Sequence, residues 1–218
     1  ARALHLQVRG RGRGAYPALS RRVGILGGTF NPPHLAHLVC AQEAHAQLGL
    51  DRVTWVPTNV PPHKVLEGDP GPRVRLALCE RAVAGDERFD VSAVELDRGG
   101  PSYTVDTLRT LSDLAPEDDL IFIAGGDMAR SLPAWREPEE ILSLATFAVA
   151  ERAGAGRRDI ADHLATLTGG EADVQFFAMP RLDVSSSDVR RRVAEGRPIR
   201  YLVPDAVAEE IEARGLYR

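Results

Sequence analysis

The chain has 218 residues, of which 44% are hydrophobic and 27% are charged, and these fractions exclude a fibrous or intrinsically disordered chain. No apolar run approaches the roughly 18 residues that a membrane-spanning helix needs, so we expect a soluble protein. The two cysteines, Cys40 and Cys79, lack CxxC spacing, which argues against a disulfide framework or a zinc ribbon and favours a reducing, cytoplasmic setting.

The net charge of −4 hides an asymmetry along the chain. Residues 1–22 contain six arginines and no acidic residue, which leaves 21 basic and 31 acidic residues in the remainder. The first segment is rich in Arg, Gly and Ala without clear periodicity, so we interpret residues 1–21 as a flexible basic tail, with a transit peptide or a nucleic-acid arm as alternatives. Residues 22–218 are predicted to form a single domain.

Hydrophobic periodicity predicts alternating strands and helices from residue 23 onward. In chain order the elements are strand 23–26, helix 35–48, strand 53–56, helix 73–83, strand 89–96, helix 103–114, strand 120–124, helix 137–144, strand 146–150, helix 160–167, strand 174–178 and helices 187–195 and 205–214. This order predicts an α/β fold: a Rossmann-like, doubly wound, mostly parallel sheet with helices on both faces and a small C-terminal helical part. Ligands of such sheets lie beyond the carboxyl ends of the strands.

The segment from Gly27 to His37 joins the first strand to the first helix, where free backbone N–H groups suit a phosphate. It matches neither the Walker-type phosphate loop nor the dinucleotide fingerprint. His34 and His37 lie one helical turn apart at the start of the helix and can donate to phosphate oxygens. Taken alone, the pair could instead be a structural cap or half of a metal site, for which Cys40 and His45 have poor spacing.

Six segments of the chain, in the same order, resemble one enzyme family. Residues 27–37 (GGTFNPPHLAH) resemble the GGTFxPxHxGH signature of the nucleotidylyltransferase superfamily. Residues 61–64 (PPHK), 100–108 (GPSYTVDTL), 123–135 (IAGGDMARSLPAW), 184–190 (VSSSDVR) and the ending 203–217 are similar to motifs of its bacterial nicotinate-nucleotide adenylyltransferases. The resemblance runs from Arg22 to the C-terminus.

The resemblance implies transfer of an adenylyl group from ATP to nicotinate mononucleotide, giving deamido-NAD and pyrophosphate, in NAD biosynthesis. It implies Mg²⁺ carried by the ATP phosphates, with no metal held by the protein alone, and small-molecule substrates rather than nucleic acid or membrane as partners; a homo-oligomer is left open. Alternative interpretations are a sister enzyme that acts on nicotinamide mononucleotide or phosphopantetheine, or a nucleotide-binding protein without catalysis.

The resemblance also assigns the ATP site. His34, His37 and Arg190 are the implied catalytic residues. The implied ATP-binding residues are Gly27, Gly28, Thr29, Phe30, Gly125, Asp127, Ser185, Ser186 and Ser187. From the residues alone, the serines could equally be a plain N-cap, and Asp127 could cap a helix through Leu132 instead of binding a ribose.

For the mononucleotide, the resemblance implies Lys64, Tyr103, Thr104, Trp135 and Arg152. Backbone N–H groups at Tyr103 and Thr104, at a helix start, can hold a nicotinate carboxylate, and Trp135 offers a flat face for the pyridine ring or else is a core aromatic. Lys64 is the only lysine among 27 basic residues; from the residues alone it could equally supply a compact ammonium to a phosphate or be a solvated loop residue.

The chain departs from the family pattern at two positions. Ala36 stands where the signature has glycine, so a methyl group lies where relatives allow close approach of the nucleotide, and ATP affinity or adenine placement is expected to differ. Ala153 stands where the family has proline after Arg152.

Overall fold

The structure is a computed structural model that describes residues 20–62, 65–151, 157–168, 170 and 173–218. In chain order the elements are β1 (Arg22–Gly28), α1 (Leu35–Leu48), β2 (Arg52–Pro57), α2 (Pro72–Val83), β3 (Phe89–Val91), α3 (Val94–Arg98), α4 (Thr104–Leu114), β4 (Asp119–Gly125), α5 (Gly126–Ser131), a 3-10 turn (Leu132–Ala134), α6 (Pro138–Leu144), β5 (Thr146–Glu151), α7 (Arg157–Thr168), β6 (Val174–Ala178), α8 (Ser186–Ala194) and α9 (Asp205–Ala213).

The six strands form one sheet in the order β3-β2-β1-β4-β5-β6, and every neighbouring pair is parallel. This is the doubly wound order in which the chain leaves β1 in one direction and later returns to its other side with β4. The predicted fold class is therefore confirmed. Between β1 and β4 lies the point where the direction of winding reverses, which is where such sheets bind ligands.

Helices cover both faces of the sheet because the strands are apolar on both sides. One core cluster contains Val23, Ile25 and Phe122 with residues of α4 to α7. The other contains Leu26, Trp55 and Ile121 with residues of α1 and α2. Burial on both faces explains why these strands read as continuous apolar runs instead of alternating ones.

The two C-terminal helices pack beside α2 on one face. Val189 of α8 and Val207 and Ile211 of α9 form a third buried cluster with Leu78 of α2. The last segment of the chain thus returns to the side of the sheet that carries α1, which brings it next to the loop after β1.

One local prediction was wrong. Residues 89–96 were expected to be extended, but only Phe89–Val91 is a strand and Val94–Arg98 is a helix. The helix forms because Ser92 Oγ accepts the Val94 N–H at 3.3 Å, and because Glu95 turns inward, where its Oε1 accepts the Thr107 hydroxyl at 2.7 Å. A contact with α4 therefore decides the local structure, which periodicity alone does not register.

The alternative interpretation of Asp127 as a helix cap does not hold, because Asp127 does not cap α5. The N-cap of this helix is Gly125, and Asp127 follows inside the first turn.

Within the described residues, no helix has both the length and the apolar character to cross a bilayer. The predicted tail of residues 1–21 falls, apart from Ser20 and Arg21, outside the described residues.

Candidate active site

The centre of the sheet opens at the carboxyl end of β1 and β4. These two strands pair only as far as Leu26 and Ile123. Beyond that point β1 continues along β2 to Gly28, while β4 continues along β5 to Gly125. Because each strand pairs with a different neighbour beyond this point, β1 and β4 diverge. The predicted glycine turns therefore lie on opposite sides of one crevice.

The loop after β1 folds back on itself at Phe30, which adopts a φ of 47°. Its ring is fully buried, stacks on Trp55 at 4.9 Å between centroids, and lies over Gly28. A Cβ at position 28 would lie 3.0 Å from that ring, so a larger residue there would push against the Phe30 ring. The side chain of Phe30 belongs to the core, which leaves only its backbone for the predicted nucleotide contact.

His34 and His37 lie face to face at the start of α1, with ring centroids 3.7 Å apart and an angle of 24° between the planes. The His34 N–H donates to His37 Nδ1 at 3.2 Å, so His37 carries its own proton on Nε2 when it is neutral. Burial lowers the pKa of His34 to about 4. Burial, followed by the charge of His34, lowers the pKa of His37 well below its usual value. Both rings are therefore neutral at pH 7.

A cavity of about 340 Å³ lies beside the loop after β1. Its lining residues are Thr29, Asn31, Val65, Leu66, Glu67, Ser185, Ser186, Ser187 and Arg190. Five predicted ATP-site residues thus meet in one space: Thr29 from the first motif and the serines and Arg190 from the last. The two histidines belong to the adjoining loop-helix junction and lie outside this lining.

Hydrogen bonds fasten the start of α8 to the loop that precedes α1. Ser186 Oγ donates to the Pro32 carbonyl at 2.8 Å, and Arg190 donates to the Asn31 carbonyl, also at 2.8 Å. The N-termini of two helices, each the positive end of a dipole, therefore converge at one place. At the start of α1 the Leu35 N–H is already bonded to the Leu202 carbonyl at 2.9 Å. Such a convergence suits a ligand with several phosphates.

The serine motif forms a helix cap and leaves room for the second role that the sequence left open. Ser185 is the N-cap of α8, since its Oγ accepts the Asp188 N–H at 3.1 Å. Ser187 Oγ accepts from Arg190 at 3.4 Å, so its own hydroxyl hydrogen remains available to a ligand. A cap and a phosphate contact are therefore compatible in this segment.

Asp127 and Gly125 lie on the other side of the crevice, after β4. The Asp127 side chain is fully exposed and forms an ion pair with Arg130 at 3.2 Å, one turn along α5. A Cβ at Gly125 would have no neighbouring atom within 4 Å. Close packing therefore does not require glycine there, and its small size leaves space for a ligand. Both residues remain open to a ligand that enters from the solvent.

The aromatic residues predicted for the mononucleotide lie near each other. Tyr103 is the N-cap of α4, and Thr104 is its first residue. Arg136, next to Trp135, places its guanidinium 4.9 Å from the centre of the Tyr103 ring. Trp135 is half-buried: it meets Phe122 edge to face at 6.1 Å, and its Nε1 donates to Ser131 Oγ at 3.1 Å. It contacts the core while part of the ring stays accessible.

The loop after β2 lies between this region and the loop after β1, since the Thr58 N–H donates to the Gly28 carbonyl at 2.9 Å. The Asn59 N–H donates to Ser102 Oγ and its side-chain amide donates to the Gly100 carbonyl, each at 2.9 Å. An opening of about 690 Å³ lies along Pro61 and Pro62. Lys64 in the same loop, and Arg152 after β5, are outside the described residues, so their predicted roles stay predictions.

Sequence reasoning missed Arg75, whose side chain is completely buried between the loops that follow β1 and β2. A signal for it existed: in α2, Arg75 shares one face with Leu78 and Cys79, three and four residues later, and both are buried. A charged residue on the apolar face of a helix indicates a specific buried partner. Asn31 and Tyr217, which bond to each other at 2.8 Å, were also missed as contributors to the site.

A protein-held metal site was not predicted. Among the residues that the structure describes, no group of three or more His, Cys, Asp or Glu side chains is arranged to hold a metal ion. The half metal site considered for His34 and His37 therefore lacks further ligands in this part of the chain.

Comparison with known proteins identifies the family from the sequence. The model of the cytidylyltransferase-like family matches residues 25–192. A probable nicotinate-nucleotide adenylyltransferase of Shouchella clausii is 42% identical over 197 residues, covering 90% of this chain and 97% of the relative. A protein of the same name from Roseiflexus sp. is 45% identical over 199 residues, covering 91% and 99%.

Among solved structures, a nicotinic acid mononucleotide adenylyltransferase of Plasmodium falciparum, complexed with NaAD, superposes with a TM-score of 0.72. It is 18% identical, with 90% of this chain and 97% of that chain covered, so this likeness concerns the fold alone. The sequence relatives carry the assignment further, since they are similar over almost their whole length. The chain therefore belongs to the cytidylyltransferase-like family, among the relatives named nicotinate-nucleotide adenylyltransferases.

Proposed function

We propose that this protein transfers the adenylyl group of ATP to the phosphate of nicotinate mononucleotide, forming deamido-NAD and releasing pyrophosphate. The observation that carries the proposal is the meeting of the first and last motifs around one cavity, where the starts of α1 and α8 are joined by the bond from Ser186 to Pro32. The names of the close relatives support the choice of substrates.

Arg190, Ser187 and the N–H groups at the start of α8 are proposed to bind the ATP phosphates. The histidines contribute as neutral donors, because burial keeps their pKa values low. A bound triphosphate would raise those pKa values again by its negative charge. Since the two rings are in contact, at most one of them is expected to become protonated.

The reaction needs no general base on the protein. The attacking group is a phosphate monoester, whose second pKa is about 6, so it is largely dianionic at neutral pH. The leaving group is pyrophosphate, which Mg²⁺ stabilises. Catalysis then consists of aligning two anions in line and neutralising the charge that accumulates around the α-phosphate.

Mg²⁺ is proposed to arrive with ATP, held mainly by the phosphates. The donors on this chain that fit such an arrangement are hydroxyls and N–H groups, which bind phosphate oxygens and leave the ion to the nucleotide and water. This cation usually keeps several waters and binds through substrate phosphates.

The mononucleotide is proposed to lie between the start of α4 and Trp135. Its carboxylate would accept from the N–H groups of Tyr103 and Thr104, and its pyridine ring would stack on the accessible face of Trp135. Lys64 and Arg152 are proposed to meet its phosphate. In this arrangement a nicotinate carboxylate is matched by backbone donors, whereas a carboxamide would bring its own N–H group towards them.

The direct test is to incubate the protein with Mg·ATP and either nicotinate or nicotinamide mononucleotide and to measure pyrophosphate release. We expect release with the nicotinate form and much slower release with the amide. Release with nicotinamide mononucleotide alone would contradict the substrate assignment, and ATP binding without release in either mixture would favour a nucleotide-binding protein without catalysis.

Replacing Trp135 by alanine tests the second substrate site. The KM for nicotinate mononucleotide is expected to rise about tenfold, because base-aromatic stacking of this kind contributes ~1–3 kcal/mol, while ATP affinity stays unchanged. Trp135→Phe keeps a stacking face and serves as the control. An unchanged KM in the alanine variant would mean that Trp135 acts only in the core.

A further inference from the structure

Arg75 extends from α2 into the space between two substrate loops. Its Nε donates to Asp69 at 2.8 Å, and its Nη1 donates to the Thr29 carbonyl at 2.9 Å. The same Nη1 donates to the Thr58 carbonyl at 2.6 Å, and Nη2 donates to the Asn59 carbonyl at 3.0 Å. One guanidinium therefore contacts the phosphate loop, the loop after β2 and the segment that leads into α2.

The burial of this charge shows that the contacts are specific. The Arg75 side chain has no exposed surface, and its carboxylate partner Asp69 is 23% exposed. Removing a cation from water costs several kcal/mol unless its donors are satisfied. The planar fork of arginine can satisfy them in several directions at once, which the single ammonium of lysine cannot do.

The hydrogen bonds continue from Arg75 to the predicted nicotinate site. Asn59, held through its carbonyl by Arg75, donates its own N–H to Ser102 and its amide to Gly100. The Ser102 N–H in turn donates to the Val60 carbonyl at 2.8 Å, immediately before Tyr103 and Thr104. A continuous series of polar contacts thus joins Thr29 on the ATP side to the start of α4 on the mononucleotide side.

We propose that Arg75 is a positioning residue that fixes the distance between the two substrate loops, so that the attacking phosphate and the α-phosphate of ATP meet in line. The inference rests on the proposed function and extends it to a residue that touches neither substrate. In-line transfer is sensitive to such spacing, since a misplacement of about 1 Å can cost about 10²-fold in rate.

The test is Arg75→Lys, which keeps the positive charge but removes the planar guanidinium that donates in several directions. Affinity for a non-hydrolysable ATP analogue is measured by calorimetry without the second substrate, and kcat and KM for nicotinate mononucleotide are measured from pyrophosphate release. We expect affinity for the analogue to fall about tenfold, the KM to rise by a similar factor and kcat to fall further, by up to ~10²-fold. A general loss of stability would lower the amount of active protein and leave affinity and KM unchanged.

Arg22→Lys is the matched control. Arg22 lies at the amino end of β1, opposite the carboxyl end of the strands that carries the site. Its guanidinium donates there to the Leu48 carbonyl, to Asp119 and to Gln175. This variant also replaces a planar guanidinium by an ammonium, but far from the cavity. It is expected to have a lower melting temperature, with the affinity for the ATP analogue and the KM for nicotinate mononucleotide within twofold of the wild-type values. Equal constants in the Arg75 and Arg22 variants would overturn the proposal.

Ser102→Ala provides a second test if Arg75→Lys does not fold. It cuts the same series of contacts at the mononucleotide side, so the KM for nicotinate mononucleotide should rise several-fold while affinity for the ATP analogue stays at the wild-type value. An unchanged KM in this variant would also overturn the proposal. Failure of the wild-type protein to release pyrophosphate would instead reject the proposed function, and the calorimetric comparison would still test Arg75 on the ATP side.

Discussion

At the residue scale, the feature of the proposed site with the clearest consequence is the pair of histidine rings in contact, His34 and His37. With ring centroids 3.7 Å apart, two protonated imidazoles would repel each other strongly, and burial opposes protonation of either one. In the proposed mechanism the pair would therefore act through oriented N–H donors, and through charge that appears only when an anion is bound. A neutral pair of this kind differs from two permanently cationic side chains, which would be charged before any phosphate binds.

Replacing His37 by alanine should reduce kcat by about 10²–10³-fold, the usual cost of removing one donor that stabilises the transition state. The fold should persist, because α1 keeps its other buried contacts with the sheet. Turnover is measured by pyrophosphate release and folding by circular dichroism. The matched control is His45→Ala, in the last turn of the same helix, and near-normal turnover of the His37 variant would contradict the assignment.

The low pKa of His34 predicts a pH dependence of stability. Between pH 4 and 6.5 the unfolded chain binds a proton that the folded chain does not, so the free energy of unfolding rises with pH in this window. The contribution is complete above pH 6.5 and is lost as the pH falls towards 4. In urea unfolding, His34→Gln should remove about 2–3 kcal/mol of this dependence. Identical pH profiles for the variant and the wild type would show that His34 is not buried in its neutral form.

At the scale of single elements, the first turn of α1 carries the main departure from the family pattern. Ala36 is buried, so its methyl group packs inside the protein and does not project into open space. This placement makes the expected change in ATP affinity smaller than the sequence comparison suggests.

Ala36→Gly should leave ATP affinity equal or improved and should lower the free energy of unfolding by about 0.5–1 kcal/mol, since glycine in a helix has a higher entropic cost. Affinity is measured by calorimetry and stability by chemical unfolding. Ala41→Gly, a buried alanine two turns from the cap, is the control for stability. A weaker affinity for ATP would mean that the adenine does not lie near this position.

Most elements could be predicted from the sequence, because strands buried on both faces form continuous apolar runs and helices place apolar residues at helical spacing. The helix Val94–Arg98 could not be predicted in this way, since its formation depends on the bond between Glu95 and Thr107. The cap of α5 is Gly125 because the backbone turns at the end of β4. The general preference of aspartate for N-cap positions does not indicate where that turn occurs.

At the scale of the whole molecule, the C-terminal residues complete the site at the start of the chain. The Tyr217 hydroxyl donates to Asn31 Oδ1 at 2.8 Å, across 186 residues, and burial raises the pKa of Tyr217 well above its usual value. The loop before α1 is thus held by α8 and by the last residues together.

Tyr217→Phe should destabilise the fold by about 1–3 kcal/mol, because the oxygen of buried Asn31 loses a donor. It should also raise the KM for ATP several-fold, since Asn31 lines the phosphate cavity. Unfolding and initial rates measure the two effects. Tyr201→Phe changes an exposed tyrosine of the same C-terminal part and should leave both quantities unchanged; equal behaviour of the two variants would contradict the prediction.

The sequence alone determined the fold class, the order of the elements and the motifs that face the carboxyl edge of the sheet, because these follow from local patterning and from the rules of parallel sheets. Only the tertiary structure decided how the motifs meet. It placed Ser186 against Pro32, buried the neutral histidines and inserted Arg75 between two loops. Such contacts join residues far apart in the chain, and their energies depend on burial and distance, which no local pattern encodes.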